Sequence, residues 1–363
     1  MKIAIIAPLV TPIMEPQRGG SQAFVSDLAR GLAGRGHKVH VYAAAGSEVP
    51  GVEVIDTGVD PRSLTATLYR ASGAAGNSAP AERAFASVYS TVREIQYDVI
   101  HNHAFDAPAV RFATGLHAPV VHTLHLPPDK AVATALHHAA QCDGPPTVAG
   151  VSAFQASAWH RVVRVDAILP PYVPTNVIPW SPADGNGAVF AGRLSPEKGA
   201  AEAIDIAHAA GIGIDVYGDT YDAEYAREQI HPRCDAPDVA VHPGVPRTSL
   251  WVAMARAAVV VCPAKWDEPF GMAAAEAQAC GTPVVAFKRG ALGEVIVDDV
   301  TGFLVAPDDI QAAARAVGRA ADISRSECRG HAESHLDLER SLDAHERLYQ
   351  RVANPGERVA VGG

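Results

Sequence analysis

The chain opens on an unbroken apolar run, KIAIIAP over residues 2–8. Apolarity without alternation suits a strand covered on both faces, as in a parallel sheet. A polar loop with proline and glycine follows over 11–20. Residues 21–32 then place Ala23, Phe24, Leu28 and Leu32 at helical spacing, and Gly34-Arg-Gly36 ends that pattern before an apolar stretch over 37–42. Strand, loop, helix and strand in this order are the opening of a doubly wound sheet. The alternation predicts further strands over 52–55, 98–101, 120–122, 147–149 and 166–169, and helix over 61–96 with a Gly/Ser/Pro break near 72–80.

Pro170, Pro171, Pro174, Pro179 and Pro182 crowd together and read as a linker. Beyond them the pattern restarts. Strands are predicted over 187–191, 212–217, 258–262 and 283–287, and helices over 196–210, 251–257 and 272–279. One long arginine- and acid-rich helix is predicted over 307–351, with a frayed tail over 354–363. The expected organisation is α/β: a domain over 1–170, a Pro-rich hinge over 171–186, a second domain over 187–340, and a helix end and tail over 341–363. Two such domains place a cleft between the carboxyl ends of two parallel sheets, where ligands bind in folds of this kind.

Length and composition agree with two domains: 363 residues, 48% hydrophobic and 19% charged, which excludes a disordered chain. No apolar run approaches the roughly 18–20 residues of a membrane span. The apolar start carries no cleavage-site pattern, so no signal peptide is expected. Cys142, Cys234, Cys262, Cys280 and Cys328 are odd in number and scattered, without CxxC. They fit a reducing cytoplasm better than a disulfide framework or a zinc ribbon. The net charge of −10 is uneven: residues 1–180 hold 13 basic and 13 acidic side chains, and residues 181–363 hold 17 and 27. There is no basic footprint for nucleic acid and no Lys/Arg cluster for an anionic membrane. Only 6 of the 30 basic residues are lysine, which together with abundant alanine suggests a high-GC bacterial genome.

Two stretches carry candidate chemistry. In the first, Glu268-Pro-Phe270-Gly271-Met272-Ala-Ala-Ala-Glu276 links a strand to a helix. The free N–H groups where that helix starts, near Gly271 and Met272, suit an anion, and Gly271 lets a phosphate approach the backbone. Glu276, one turn in, can accept hydrogen bonds from both hydroxyls of a ribose, and Glu268 faces whatever projects beyond the phosphates. Taken alone, the stretch is equally a strand–helix corner with two solvated glutamates. In the second, Gly192-Arg193-Leu194-Ser-Pro-Glu-Lys198-Gly199 follows the first strand of the second domain. Two cations at a strand's carboxyl end, in an acidic domain, suit a diphosphate leaving group: a forked guanidinium and a point charge. The plain alternative is a surface pair of Lys198 with Glu197 or Glu202.

Together these stretches resemble glycosyltransferase family 4, whose signature is G-R-L-x-x-x-K-G followed by E-x-F-G-x-x-x-x-E. Gly192, Arg193, Leu194, Lys198 and Gly199 match the first part. Glu268, Phe270, Gly271 and Glu276 match the second at the family's spacing. Tyr217-Gly-Asp219, His242-Pro-Gly244 and the strand over 257–263 stand where the family has its Gly-Asp turn, its F-x-G segment and its strand before the glutamates. Arg18-Gly19-Gly20 resembles the family's glycine-rich loop, His125 its T-x-H histidine, and Ser152 its helix-opening serine. The chain departs from the family's N-G-V/I-D hinge turn, reading NVIPW over 176–180.

The resemblance implies a GT-B fold of two Rossmann-like domains and transfer of a sugar from a nucleoside-diphosphate sugar to a hydroxyl acceptor. It implies retention of configuration, without a metal or other cofactor. Arg193 and Lys198 would stabilise the departing diphosphate. Gly271 and Met272 would hold phosphate or sugar hydroxyls, Glu268 would orient the sugar and Glu276 hold the ribose, with Gly192 and Phe270 beside them. His125 and Gly20 would be contributed by the first domain. The near-neutral first domain favours a soluble acceptor, a small molecule or glycan. Three other classes stay open: a nucleotide-sugar epimerase or hydrolase of GT-B shape; a metal-dependent hydrolase built on His101 and His103, for which Asp106 is the nearby carboxylate; and a non-catalytic nucleotide-sugar binder. No Asp-x-Asp occurs, so the usual metal–diphosphate clamp lacks its ligands. No G-x-G-x-x-G follows the first strand, which argues against a Rossmann oxidoreductase. His137, His138 and His160 read as helix-surface residues.

Overall fold

The computed structural model describes residues 1–61, 64, 79–234 and 238–354. The first part of the helix expected over 61–96, and most of the tail expected over 354–363, lie outside the described residues. The chain divides into two compact units. One comprises Met1–Met14, Ser21–Pro170 and Ser341–Gly363, the other Glu15–Gly20 and Pro171–Arg340.

In the first unit the elements run β1 (Lys2–Ile6), α1 (Gly20–Gly34), β2 (Lys38–Ala43), β3 (Glu53–Asp56), α2 (Ala79–Arg93), β4 (Val99–Asn102), α3 (Ala107–Phe112), β5 (Val120–Leu124), α4 (Lys130–Ala139), β6 (Thr147–Gly150), α5 (Ala153–His160) and β7 (Ala167–Ile168). The seven strands form one parallel sheet in the order β3-β2-β1-β4-β5-β6-β7. The strand order reverses between β1 and β4, so the loops leaving these two strands diverge and open a binding crevice at their carboxyl ends. Ile3, Ala4, Ile5 and Ile6 are fully buried, as the apolar run predicts. Phe85, Val88, Tyr89 and Val92 of α2 cover Ile6, Tyr42 and Ile100. Val132 and Leu136 of α4 pack with Trp159 of α5 and Leu124. His137, His138 and His160 are exposed.

The second unit runs β8 (Ala188–Ala191), α6 (Ala200–Ala210), β9 (Ile214–Tyr217), α7 (Ala223–Tyr225), β10 (Val239–His242), α8 (Arg247–Arg256), β11 (Val259–Cys262), α9 (Met272–Ala279), β12 (Val284–Phe287), α10 (Leu292–Val295), β13 (Gly302–Val305), α11 (Ile310–Gly318) and α12 (Arg325–His335). α13 (Leu338–Ala353) then carries the chain back to the first unit. The second sheet is also parallel, ordered β10-β9-β8-β11-β12-β13. Its reversal lies between β8 and β11, the two strands that precede the two sequence motifs. Ala200, Ala203 and Ala207 of α6 and Ala313 and Ala316 of α11 fill its core with Ile204, Val216 and Val261.

Two sequence expectations are corrected. The helix expected over 196–210 is a 3-10 turn, Pro196–Lys198, followed by α6. Gly199 separates them with φ +76°, and a Cβ there would lie 2.1 Å from the Pro263 carbonyl oxygen, so only glycine lets the backbone pass. The single helix expected over 307–351 is α11, α12 and α13, set apart by a 3-10 turn at Ala320–Asp322 and by caps. Asp309 accepts the Ala312 N–H, and Ser324 accepts the Glu327 N–H. The Pro-rich segment is fastened by arginines of α12. Arg329 of α12, 8% exposed, donates to the carbonyls of Thr175 (2.8 Å), Ile178 (3.1 Å) and Ala279 (2.6 Å), and Arg325 donates to Ser181 O at 2.9 Å. The hinge stretch that departs from the family turn is thus held by guanidinium bonds. No described helix is long and apolar enough to cross a membrane.

Candidate active site

The loops after β8 and β11 bring the two motifs together. Lys198 Nζ donates to both carboxylate oxygens of Glu268, at 3.0 and 2.9 Å. The Trp266 indole N–H donates to Glu268 Oε2 at 2.7 Å, and the Lys198 ammonium stands 4.7 Å from the Trp266 ring centre. The Gly199 approach to Pro263 and the Lys265 N–H to Glu197 O bond, 2.9 Å, lock the loops to each other. Neither surface pair suggested by sequence forms with Lys198. Glu197 accepts from Arg193 (3.3 Å) and from the Ser195 hydroxyl (2.5 Å), and Glu202 pairs with Lys265 (2.7 Å). The Arg193 guanidinium also lies 4.8 Å from the Tyr221 ring. Burial, and then the Glu268 charge, push the Cys262 thiol up to about 12, so at neutral pH it is no thiolate nucleophile.

α9 begins beside this pair. Gly271 takes φ +104°, and a Cβ on it would meet Leu292 Cδ2 at 2.6 Å. The N–H groups of Met272 and Ala273, in the first turn, have no intrahelical carbonyl to donate to. Phe270 is buried and its ring packs on Tyr172 at 5.9 Å; it shapes the loop from within. One turn along, Glu276 is 6% exposed, so it is not a solvated corner residue. Arg247 Nε and Nη2 donate to Glu276 Oε1 at 3.0 and 2.8 Å, and the guanidinium lies 4.8 Å from the Trp251 ring.

Sequence reasoning missed Arg247 and Trp266. The only signal was a lone arginine behind Pro246 at a helix start and a tryptophan two residues before the motif. The segment Glu15–Gly20 groups with this second unit. Glu15 accepts the Arg247 N–H at 3.0 Å, and a Cβ on Gly20 would lie 3.1 Å from Met272 Sδ. Gly192 donates its N–H to Tyr217 O at 3.0 Å, and Asp219 accepts the Gly244 N–H at 2.9 Å, so the ends of β8, β9 and β10 are tied in series.

In the first unit β4 and β5 end in histidines. His103 Nδ1 lies 2.9 Å from His125 Nε2. His101 is engaged at both ring nitrogens, Nδ1 by the Tyr349 hydroxyl at 2.6 Å and Nε2 by the Thr123 hydroxyl at 2.7 Å. His122 meets the Asn102 amide at 2.8 Å. Among the described residues no group of three or more His, Cys, Asp or Glu is placed to hold a metal ion, and His101 has no nitrogen left to offer one. Burial holds these rings neutral. It lowers His122 and His345 to about 4 and, with the His345 charge a smaller cause, His125 to about 3.

This predicts acid lability. A folded value below the ordinary 6.5 means that the unfolded chain binds protons the folded chain refuses between pH 6.5 and about 4. The stability from the neutral rings is intact above pH 6.5 and is lost as pH falls through that window, by about 3 kcal/mol for each of His122 and His345. Urea titrations at pH 7.5, 6 and 4.5 are expected to show this decline, shallower in His122→Gln. Equal slopes in the two proteins contradict it.

Residues 18–177 match the family model described as Glycosyltransferase Family 4, and residues 180–329 match Glycosyl transferases group 1. A D-inositol 3-phosphate glycosyltransferase of Xylanimonas cellulosilytica is 29% identical, over 87% of this chain and 87% of its own. Among solved structures, a sucrose-phosphate synthase from Thermosynechococcus elongatus superposes with a TM-score of 0.81 at 18% identity, covering 98% of this chain and 100% of that one. Anabaena HepE in complex with UDP-glucose superposes at 0.75 with 21% identity, covering 96% and 100%.

Proposed function

Because the chain belongs to glycosyltransferase family 4 and is a glycosyltransferase of GT-B fold, we propose that it moves a sugar from a nucleoside-diphosphate sugar to a hydroxyl acceptor with retention of configuration. The observation that carries this reading is the Lys198–Glu268 pair, in which motifs 70 residues apart meet as one ion pair. A lone ammonium has three donors, so Lys198 can keep Glu268 in place and still reach a phosphate oxygen. With Arg193 it stabilises charge that grows on the diphosphate as the sugar leaves. The first-turn N–H groups of α9 hold phosphate or sugar hydroxyls. Glu268, fixed by Lys198 and Trp266, orients the sugar. Glu276, fixed by Arg247, accepts from the ribose hydroxyls. His125 meets the transferred sugar.

The bond from the anomeric carbon to the phosphate oxygen breaks. The acceptor oxygen attacks that carbon on the same face, and its proton passes to the departing diphosphate. Neither a protein nucleophile nor a metal is needed for this balance. The neutral first domain favours a soluble polyol or glycan acceptor, and the inositol phosphate named for the relative is one to try. An odd number of scattered cysteines without CxxC suits a cytoplasmic reaction.

The test incubates the protein with UDP-, GDP-, ADP- and TDP-sugars and polyol acceptors in excess EDTA. The expected result is one donor yielding a glycosylated product whose anomeric proton coupling matches the donor's. An inverted product, or activity lost to EDTA and restored by zinc or manganese, overturns the reading. Release of the nucleotide without transfer points to a hydrolase.

A further inference from the structure

Of the histidines in and just past β4 and β5, the family resemblance uses only His125, yet they form a fixed chain. His101 is fully buried and clamped at both nitrogens, by Tyr349 and by Thr123. The His103 ring, also fully buried, lies tilted against it with centroids 4.0 Å apart, and Phe24 packs edge-on to His103 at 6.2 Å. His103 is therefore hemmed in by aromatic rings. Its Nδ1 lies 2.9 Å from His125 Nε2, and its own Nε2 is buried with no hydrogen-bond partner. Phe105 packs edge-on to His125 at 6.0 Å.

Two neutral imidazoles can share one N–H···N bond in only two ways. If His125 donates, His103 must carry its proton on Nε2, and an N–H is buried unpaired. If His103 donates from Nδ1, only a lone pair is left unpaired. Orphaned buried N–H groups are the rarer case, so the network assigns the proton to His103 Nδ1.

We propose that His103 is a positioning residue for His125: its Nδ1–H donates to His125 Nε2 and holds that ring in the Nδ1–H tautomer, as a donor toward a sugar hydroxyl. The step from this geometry to catalysis rests on the reading that His125 meets the transferred sugar. The hold itself does not. His101 acts one step further back, keeping the His103 ring in its plane. An imidazole that donates from a set position contributes orientation, which is lost if the ring can turn or exchange tautomers.

The experiment uses the full chain labelled with ¹⁵N-histidine. Two-bond ¹H–¹⁵N correlation spectra distinguish the tautomers, and the His125 signals are identified by their loss in His125→Gln. His103→Asn keeps an amide donor where Nδ1 stood, His103→Gln moves the donor to the place of Nε2, and His103→Phe keeps the ring and removes the donor. The expected result is an Nδ1–H tautomer for His125 in the parent and in His103→Asn, and mixed tautomers in His103→Phe and His103→Gln. Melting temperature confirms which variants fold. In the folded variants kcat is expected to fall roughly 10- to 100-fold in Phe and Gln, with recovery to within a few-fold of the parent in Asn and little change in donor KM. An Nε2–H tautomer in the parent, an unchanged tautomer in both Phe and Gln, or equal kcat in Asn and Gln overturns the proposal. If His125→Gln itself turns over like the parent, the sugar-contact reading fails, while the spectra still decide the hold.

Discussion

Lys198→Ala and Arg193→Ala are each expected to lower kcat by about 10²- to 10³-fold, the loss seen when one preorganised donor to developing charge is removed. Folding should hardly notice. Lys198 is 22% exposed and its partner Glu268 16%, and Glu268 keeps the Trp266 N–H when the ammonium is gone. Arg193, 19% exposed, makes a long 3.3 Å contact to Glu197 and lies against the Tyr221 ring, and Glu197 keeps the Ser195 hydroxyl when the guanidinium is gone. The two quantities therefore separate: turnover falls by orders of magnitude while the urea midpoint moves little. Steady-state kinetics beside urea titration of each variant checks this. Turnover within a few-fold of the parent in both variants contradicts the leaving-group assignment.

Arg247→Ala should behave in the opposite way. Its side chain and that of Glu276 are 10% and 9% exposed, and removing one partner of a buried pair strands the other charge at a cost of about 3–5 kcal/mol. For a unit of this size that is a drop in melting temperature of roughly 10 °C. Glu276→Ala strands Arg247 and is expected to destabilise similarly. That is why the milder Glu276→Gln is the cleaner probe of the ribose. The double change Arg247→Met with Glu276→Leu removes both charges, so it should recover most of the stability and none of the nucleotide binding. If Arg247→Ala melts with the parent, the buried pair is not what sets Glu276.

How much of this was legible in the sequence follows from which forces act locally. Runs such as 2–8 and 258–262 announce strands because a parallel sheet buries both faces, and the structure has strands there. β10 escaped notice because it is an edge strand whose Ala240 and Val241 are exposed, so neither a continuous run nor a clean alternation is written. Gly199 was visible as a motif letter. Its role as a break before α6 depends on Pro263, more than sixty residues away, which no local pattern records. The same holds for the site. Glycines, cations and carboxylates at set spacing pointed to Arg193, Lys198, Glu268, Gly271 and Glu276. That Lys198 pairs with Glu268 rather than with a sequence neighbour, and that Arg247 pairs with Glu276, are facts of tertiary placement. His345 and Tyr349 are the extreme case. An acid- and arginine-rich helix reads as a solvated face, yet its buried stripe faces the histidines of β4.

The central claim is that the second unit holds a nucleoside diphosphate by Glu276 and its sugar by Glu268. Calorimetric titration of UDP, GDP, ADP and TDP, and of the matching sugar donors, into the parent, Glu268→Ala and Glu276→Gln tests it most directly. The account predicts that one diphosphate binds the parent. Glu276→Gln should weaken that diphosphate by about 1.5–3 kcal/mol, the value of a hydrogen bond to a charged group. Glu268→Ala should leave the bare diphosphate nearly untouched and weaken only the intact donor. Absence of binding by every diphosphate, or a Glu268→Ala variant that loses the bare diphosphate as fully as Glu276→Gln does, contradicts it.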